Sequence, residues 1–357
     1  MKLARYPIRS AILASFVCLS AGLFALPASA GVPQTSSKIA PHRAPKAAKK
    51  SAHRPAYSSR VSKARARALA RARVAARVRA ARDAAVPRYK TDATGAIVPD
   101  VHAAAAIIYN PETHQVIWEE NSQDKRSIAS ITKVMTAVVE VESDPDLSQT
   151  VTVERSDTYA ASTTHLRPGY RVTVGDLLHL MLIASDNAAA RALARVSPWG
   201  PAGFVERMNE KARELGLEST TYADPSGLDQ RNVSSAYDMA RLISYAANDE
   251  RISSVMRTQE FTVALSGRPL TIHSTNRLLA RADMEGNILG AKTGFIMRAG
   301  YCLATLLKLP QVNQPVAVVV LGAHSNAARF AEVRNLFTWL TARAEGVLDK
   351  QDDHQQP

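Results

Sequence analysis

Three short groups of residues in this 357-residue chain carry side chains that can do chemistry together: Ser130 with Lys133, Ser185-Asp186-Asn187, and Lys292-Thr293-Gly294. A serine hydroxyl is a weak nucleophile until a neighbouring base takes its proton. A lysine amine becomes such a base once burial and nearby cations lower its pKa. Around Ser130 the apolar side chains recur at Ile131, Val134, Met135, Val138 and Val139, the rhythm of a helix with one buried stripe. On that helix Ser130 and Lys133 are three residues apart, share a face turned away from the stripe, and are close enough to touch.

The other two groups sit where the chain changes element. Leu177, Leu178, Met181 and Leu182 predict a second helix, and an alanine-rich helix begins after Asn187, so Ser185-Asp186-Asn187 falls at their junction and can reach into a cleft. Lys292-Thr293-Gly294 falls in a predicted strand between Gly290 and Gly300. Taken singly each group is ordinary, since Ser-Asp-Asn is a common helix N-cap and Lys-Thr-Gly a common edge or turn.

Around these groups the pattern predicts a hairpin over residues 103–109 and 115–119, then short extended pieces near 151–153 and 171–174. Helices follow at residues 201–216 and 234–247, strand-like runs at 261–265 and 270–273, strands at 288–295, 301–307 and 316–321, and a closing helix on Phe330, Val333, Phe337 and Leu340. This order predicts an α+β domain with a mainly antiparallel sheet built from both ends of the domain, flanked by helices, with an all-helical insertion between them.

Ser-x-x-Lys, Ser-Asp-Asn and Lys-Thr-Gly, in this order and in these elements, resemble the motif set of serine β-lactamases and penicillin-binding proteins. Over residues 95–345 the chain resembles the low-molecular-mass penicillin-binding proteins, including the stretches around Ala129 to Lys133 and from Lys292 through Ala299-Gly300-Tyr301. The resemblance implies a DD-peptidase fold and an acyl-enzyme at Ser130, with Lys133 as its base and Ser185 relaying a proton to the leaving amine between Lys133 and Lys292. It implies that Asn187 binds the substrate amide and Lys133, that Lys292 and Thr293 take a substrate carboxylate, and that Gly294 lets the ligand backbone lie along the strand. The backbone N–H groups of Ser130 and Phe295 would form the oxyanion hole, each worth about 3 kcal/mol of barrier. Expected partners are peptidoglycan stem peptides, with β-lactams as covalent inhibitors and neither cofactor nor metal. No Glu-x-x-Leu-Asn stands between Asn187 and Lys292, which favours a peptidase that β-lactams trap over an enzyme that destroys them.

Within that family the Gly227-Leu228 to Ala236 stretch and the short C-terminal segment are more similar to the D-alanyl-D-alanine endopeptidases than to the carboxypeptidases, the alternative. Met297-Arg298 departs from the expected pattern of a small or polar residue followed by an acidic one. A reading from another class is a non-catalytic wall-binding protein, against which the completeness of the motif set argues.

The ends of the chain differ from its body. Lys2, Arg5 and Arg9, the apolar run from Ala11 to Leu26 and Ala28-Ser29-Ala30 predict a secretory signal peptide over residues 1–30, hence an exported protein of the periplasm or cell-wall space. Of the 45 Lys and Arg, 20 lie in residues 1–90 against the single acid Asp83, leaving 25 basic and 31 acidic residues beyond. Residues 31–94 therefore read as a basic Ala/Arg/Pro-rich arm, disordered to partly helical, suited to anionic lipid or wall polymer rather than to specific nucleic acid. Residues 346–357 read as a polar tail. With the leader removed Cys302 is the one cysteine, in an apolar run that suits packing. His102, His114, His165, His179, His273 and His324 form no ligand pattern and suit surface or packing roles.

Overall fold

A computed structural model describes residues 65–72, 86–310 and 312–346. The expected signal peptide, most of the arm and the C-terminal tail lie outside these residues. Residues 65–72 are helical and exposed throughout. None of the helices among the described residues is long and apolar enough to cross a membrane.

The strands are β1 (Tyr89–Thr91), β2 (Ile97–Pro99), β3 (Ala105–Asn110), β4 (Gln115–Glu120), β5 (Arg126–Ser127), β6 (Thr150–Thr152), β7 (Arg171–Thr173), β8 (Val233–Ser234), β9 (Glu260–Leu265), β10 (Arg268–His273), β11 (Ile288–Ile296), β12 (Gly300–Leu309) and β13 (Gln314–Ala323). The helices are α1 (Thr132–Glu142), α2 (Arg155–Thr158), α3 (Val174–Ile183), α4 (Asn187–Val196), α5 (Gly200–Glu214), α6 (Ala236–Ala247), α7 (Glu250–Arg257) and α8 (Asn326–Ala344).

Five strands form one antiparallel sheet in the order β11-β12-β13-β3-β4, so the first hairpin and the last three strands of the domain close on each other through the β13–β3 pair. Side chains on a strand alternate between faces, and both faces here are covered. Ala317, Val319 and Leu321 of β13 join the core beneath the helical part, while Val316, Val318 and Val320 join the core beneath α8. This is why residues 316–321 read as a continuous apolar run rather than as an alternation. The α+β reading holds, but the insertion between β4 and β11 is not all-helical: it also carries the two-stranded pairs β5–β8, β6–β7 and β9–β10, which tie its helices and loops together.

Four further features depart from the sequence reading. Helix α1 has more than one buried stripe: every residue from Thr132 to Val141 is buried, including Lys133, Thr136 and Glu140. Ser130 lies not on that helix but in a 3₁₀ turn, Ala129–Ile131, that leads into it. Helix α7 was unforeseen, although Asp249 caps it and Ile252, Val255 and Met256 give it an apolar stripe. The β1–β2 hairpin spans residues on both sides of position 95 and is pinned to α8: Asn335 Nδ2 donates to the Arg88 carbonyl at 3.0 Å and Trp339 Nε1 to the Ile97 carbonyl at 2.8 Å.

Candidate active site

Ser130 is presented by a strained turn. Ala129, just before it, has φ +48°, a left-handed conformation that costs an L-residue roughly 1–2 kcal/mol and persists where the surroundings enforce it. Two glycines enforce it. A Cβ on Gly227 would overlap the Ala129 carbonyl, and a Cβ on Gly294 would stand 2.7 Å from the Ile128 carbonyl oxygen. The turn is thus clamped between the 224–232 loop and strand β11. Gly294 has no room for a Cβ because protein backbone comes this close.

Lys133 Nζ is fully buried and lies 3.0 Å from Ser130 Oγ, 2.6 Å from Asn187 Oδ1 and 2.5 Å from the Ser226 carbonyl oxygen. Burial pushes its pKa down to about 7, Asp224 and Asp186 pull it back up, and Arg191 lowers it further. Two of its three neighbours are carbonyl oxygens that only accept hydrogen bonds. A neutral Lys133 therefore gives its two N–H bonds to Asn187 and Ser226 and turns its lone pair to the Ser130 hydroxyl, the one neighbour with a proton to give.

Ser185 also has a left-handed backbone, φ +59°, at the junction of α3 and α4. Asp186 caps α4 by accepting from the Ala189 N–H at 3.0 Å, so the ordinary capping role and the placing of Ser185 and Asn187 belong to the same three residues. Lys292 Nζ donates to Ser185 Oγ at 2.9 Å and to the Thr293 carbonyl at 3.0 Å. Its pKa is held well below the ordinary lysine value by burial first, then by the charges of Lys133 and Arg329. Ser185 is bonded to Lys292 alone of the two lysines, not to both as the sequence reading had it. Asn187 is doubly committed, since its Nδ2 donates to the Ala161 carbonyl at 2.7 Å while its Oδ1 receives Lys133.

The cleft these residues share holds about 490 Å³, in the range of small-molecule sites. Ser130, Ser185, Asn187, Thr293, Gly294 and Phe295, all singled out from the sequence, line it. Lys133 and Lys292 stand behind that surface, each within hydrogen-bond reach of a serine hydroxyl that does.

Three further residues take part in the site. Asp224 accepts from Ser226 Oγ, the Asn232 side chain and the Gly227 N–H, fixing the loop whose Ser226 carbonyl meets Lys133. Thr275 Oγ1 lies 2.7 Å from Thr293 Oγ1, and its N–H is held by the Ile183 carbonyl at 3.0 Å. Arg329 of α8 passes under the sheet edge and donates to the carbonyls of Gly294 at 2.9 Å and Cys302 at 3.2 Å. Asp224-Pro225-Ser226-Gly227 reads as a turn, and the signal it carries is the acid two residues before a serine and three before a glycine. Thr275 and Arg329 leave no local signal.

Cys302 is buried and its thiol is pushed up to about 11 by burial, as suits a packing residue. The histidines serve local contacts: His114 Nδ1 with Tyr109 OH at 2.8 Å, His179 stacked on Phe261, and His165 beside Asp186.

A serine, a buried lysine at its hydroxyl, and a second serine–lysine pair across one cleft define a serine acyl-transfer site on an α+β scaffold. The family described as D-alanyl-D-alanine carboxypeptidase, Peptidase S11, matches residues 92–325, and the chain belongs to it. It is 33% identical to a D-alanyl-D-alanine endopeptidase of Escherichia coli (strain K12) over 70% of this chain and 80% of that one, and 34% identical to one of Pseudomonas aeruginosa over 68% and 78%. It is 31% identical to a D-alanyl-D-alanine carboxypeptidase of Bacillus subtilis (strain 168), over 68% of this chain and 63% of that one. Among solved structures, the Streptomyces K15 DD-transpeptidase superposes with a TM-score of 0.63 at 27% identity, over 68% of this chain and 97% of that one. The protein is a serine-type DD-peptidase of the β-lactamase-like fold.

Proposed function

We propose that this enzyme cleaves D-alanyl-D-alanine-type cross-links in peptidoglycan as an endopeptidase, through an acyl-enzyme at Ser130. The observation that carries the reading is the setting of Lys133: an amine with a pKa of about 7 whose hydrogen-bond partners among the described residues are two carbonyl oxygens and one hydroxyl, that of Ser130. Ser130 Oγ attacks the scissile carbonyl carbon as its proton passes to Lys133 Nζ. The oxyanion is met by the N–H groups of Ser130 and Phe295. Collapse of the tetrahedral adduct breaks the C–N bond, and Ser185, polarised by Lys292, passes a proton to the leaving amine. Lys292 and the Thr293 hydroxyl take the carboxylate of the leaving residue, and Asn187 orients the donor amide. Water then releases the acyl group. A β-lactam follows the first half and stays bound.

The endopeptidase preference is supported by three relatives of that name at 32–34% identity, of which the match takes in 78–80%, against 61–63% of five relatives named carboxypeptidase. The leader-like residues 1–30 support action outside the cytoplasm, where the substrate lies. The test is to incubate the enzyme with purified cross-linked muropeptide dimers and with pentapeptide monomers and to weigh the products. Dimers falling to monomers is the expected result; loss of one alanine from pentapeptides with dimers untouched would make it a carboxypeptidase. Labelling by a fluorescent penicillin, lost in Ser130→Ala, separates either enzyme from a non-catalytic wall binder.

A further inference from the structure

The cleft has a direction. Gly294 lies against the turn that carries Ser130 and so marks the level of the nucleophile along β11. On one side of that level, Lys292 and the paired hydroxyls of Thr293 and Thr275 gather donors and positive charge. On the other side β11 runs through Phe295 and Ile296 into the turn at Met297-Arg298. A peptide that leaves its carboxylate at the first end must run its acyl portion past the second.

That second end is built unlike its surroundings. Phe295 is 44% and Met297 90% exposed, and both line the cleft with Ile296, facing a polar wall that includes Ser162, Thr163 and Asn187. Phe295 is held flat against Tyr301, ring centroids 4.2 Å apart, so it offers a fixed apolar surface. Next to Met297, Arg298 is exposed, and its side chain has no hydrogen bond or ion pair with any described residue. Some exposed arginines are paired, as Arg231 is with Asp229 and Arg251 with Asp249, and others, such as Arg167 and Arg268, have no such partner among the described residues.

We propose that residues 295–298 are a subsite for the residue preceding the acylated D-alanine of the donor stem, and that they select a diamino diacid there over lysine. The proposal rests on the peptidase reading above. In an extended donor that residue lies about 3.4 Å further along the strand from the acylated one, beside Phe295 and Met297. Its methylene chain covers the exposed apolar lip, and its terminal carboxylate reaches the unpaired guanidinium of Arg298. Lysine in the same place brings an ammonium to a guanidinium, a repulsive element that sharpens the choice. The Met297-Arg298 pair, a departure from the family pattern in the sequence, thereby acquires a use.

The test uses the mature chain, cross-linked dimers and pentapeptides whose donor stem carries diaminopimelate, its ω-amide or lysine at this position, with all else held constant. The wild type is expected to favour the diacid in kcat/KM by about fivefold to tenfold over both others, the range of a charge-assisted contact at a partly exposed site. Arg298→Gln should bring the three donors within about twofold of one another, while acylation by benzylpenicillin, which lacks the stem side chain, stays unchanged. Met297→Ser should raise KM for all three together. Equal wild-type rates on the three donors, or an equal loss on all three in Arg298→Gln, would overturn the subsite and leave the peptidase reading standing. No turnover of any donor by an enzyme that still takes up penicillin would overturn the peptidase reading and the subsite with it.

Discussion

Two of the oxygens around Lys133 Nζ can only accept, and the third belongs to the Ser130 hydroxyl, so in the proposed mechanism the charge state of this one amine governs the first step. Its pKa of about 7 sets the sign of the pH dependence. Below that value Lys133 is an ammonium with no lone pair; above it the base is present. The rate constant for acylation by a β-lactam is expected to rise about tenfold per pH unit below 7 and to level off above it, measured by stopped-flow labelling. A profile flat from pH 5 to 9 would rule out Lys133 as the base. Asp224 raises the pKa of Lys133, so Asp224→Asn should move the midpoint lower. Lys133→Arg, whose side chain stays charged, should lose at least about a thousandfold while Lys292 and Ser185 remain in place.

At the scale of the element, the Ser130 turn owes its shape to two glycines approaching from segments far away in the chain. Gly227 has φ +81° and no room for a Cβ beside the Ala129 carbonyl. Gly227→Ala is expected to push the turn out of place, with a loss of about 3 kcal/mol in a denaturant titration and acylation slowed by more than about a hundredfold. Helix α1 carries a second consequence of enclosure. Glu140 is buried, its Oε2 has no hydrogen-bond partner among the described residues, and burial pushes its carboxyl up to about 7 from an ordinary 4.5. The folded state then holds a proton that the unfolded chain releases, so stability falls as pH rises from about 4.5 to 7 and is flat above. Glu140→Gln removes that slope. Relative to wild type the variant should gain about 3 kcal/mol on going from pH 4.5 to pH 7.5, read from unfolding midpoints at the two values. A difference that does not change with pH would show that Glu140 ionises normally.

At the scale of the whole molecule, one sheet covered on both faces joins residues 105–120 to residues 288–323, and its β11 edge is where the insertion returns Ser130, Ser185 and Thr275. The chain ahead of this domain is a different material, with 18 Lys and Arg and one acid in residues 1–87. We propose that this arm holds the enzyme to anionic lipid or wall polymer. A chain of residues 31–357 should sediment with vesicles containing anionic phospholipid at low salt and release at high salt, whereas one that begins at residue 86 should stay in solution and still label with penicillin. Equal sedimentation of the two would place any membrane affinity in the domain itself.

The sequence alone determined what local rhythm and spacing carry. Periods of two and of 3.6 place the strands and most helices, and three residues between Ser130 and Lys133 suffice to bring them together, even though the first proved to lie in a 3₁₀ turn and not on the helix. Folding in space decided what depends on enclosure. Lys133 reads as an outward residue on a one-striped helix, and it is buried only because α4, α5, α6 and the 224–232 loop close around α1. Asp224, Thr275 and Arg329 act on partners 18 to 91 positions away, with nothing beside them in the chain to announce it. Desolvation is a property of everything that surrounds a group, and a linear text states only its two neighbours. The motifs name the candidate residues; the tertiary structure strips them of water and so gives an ordinary lysine a pKa of about 7, where it can serve as the proposed base.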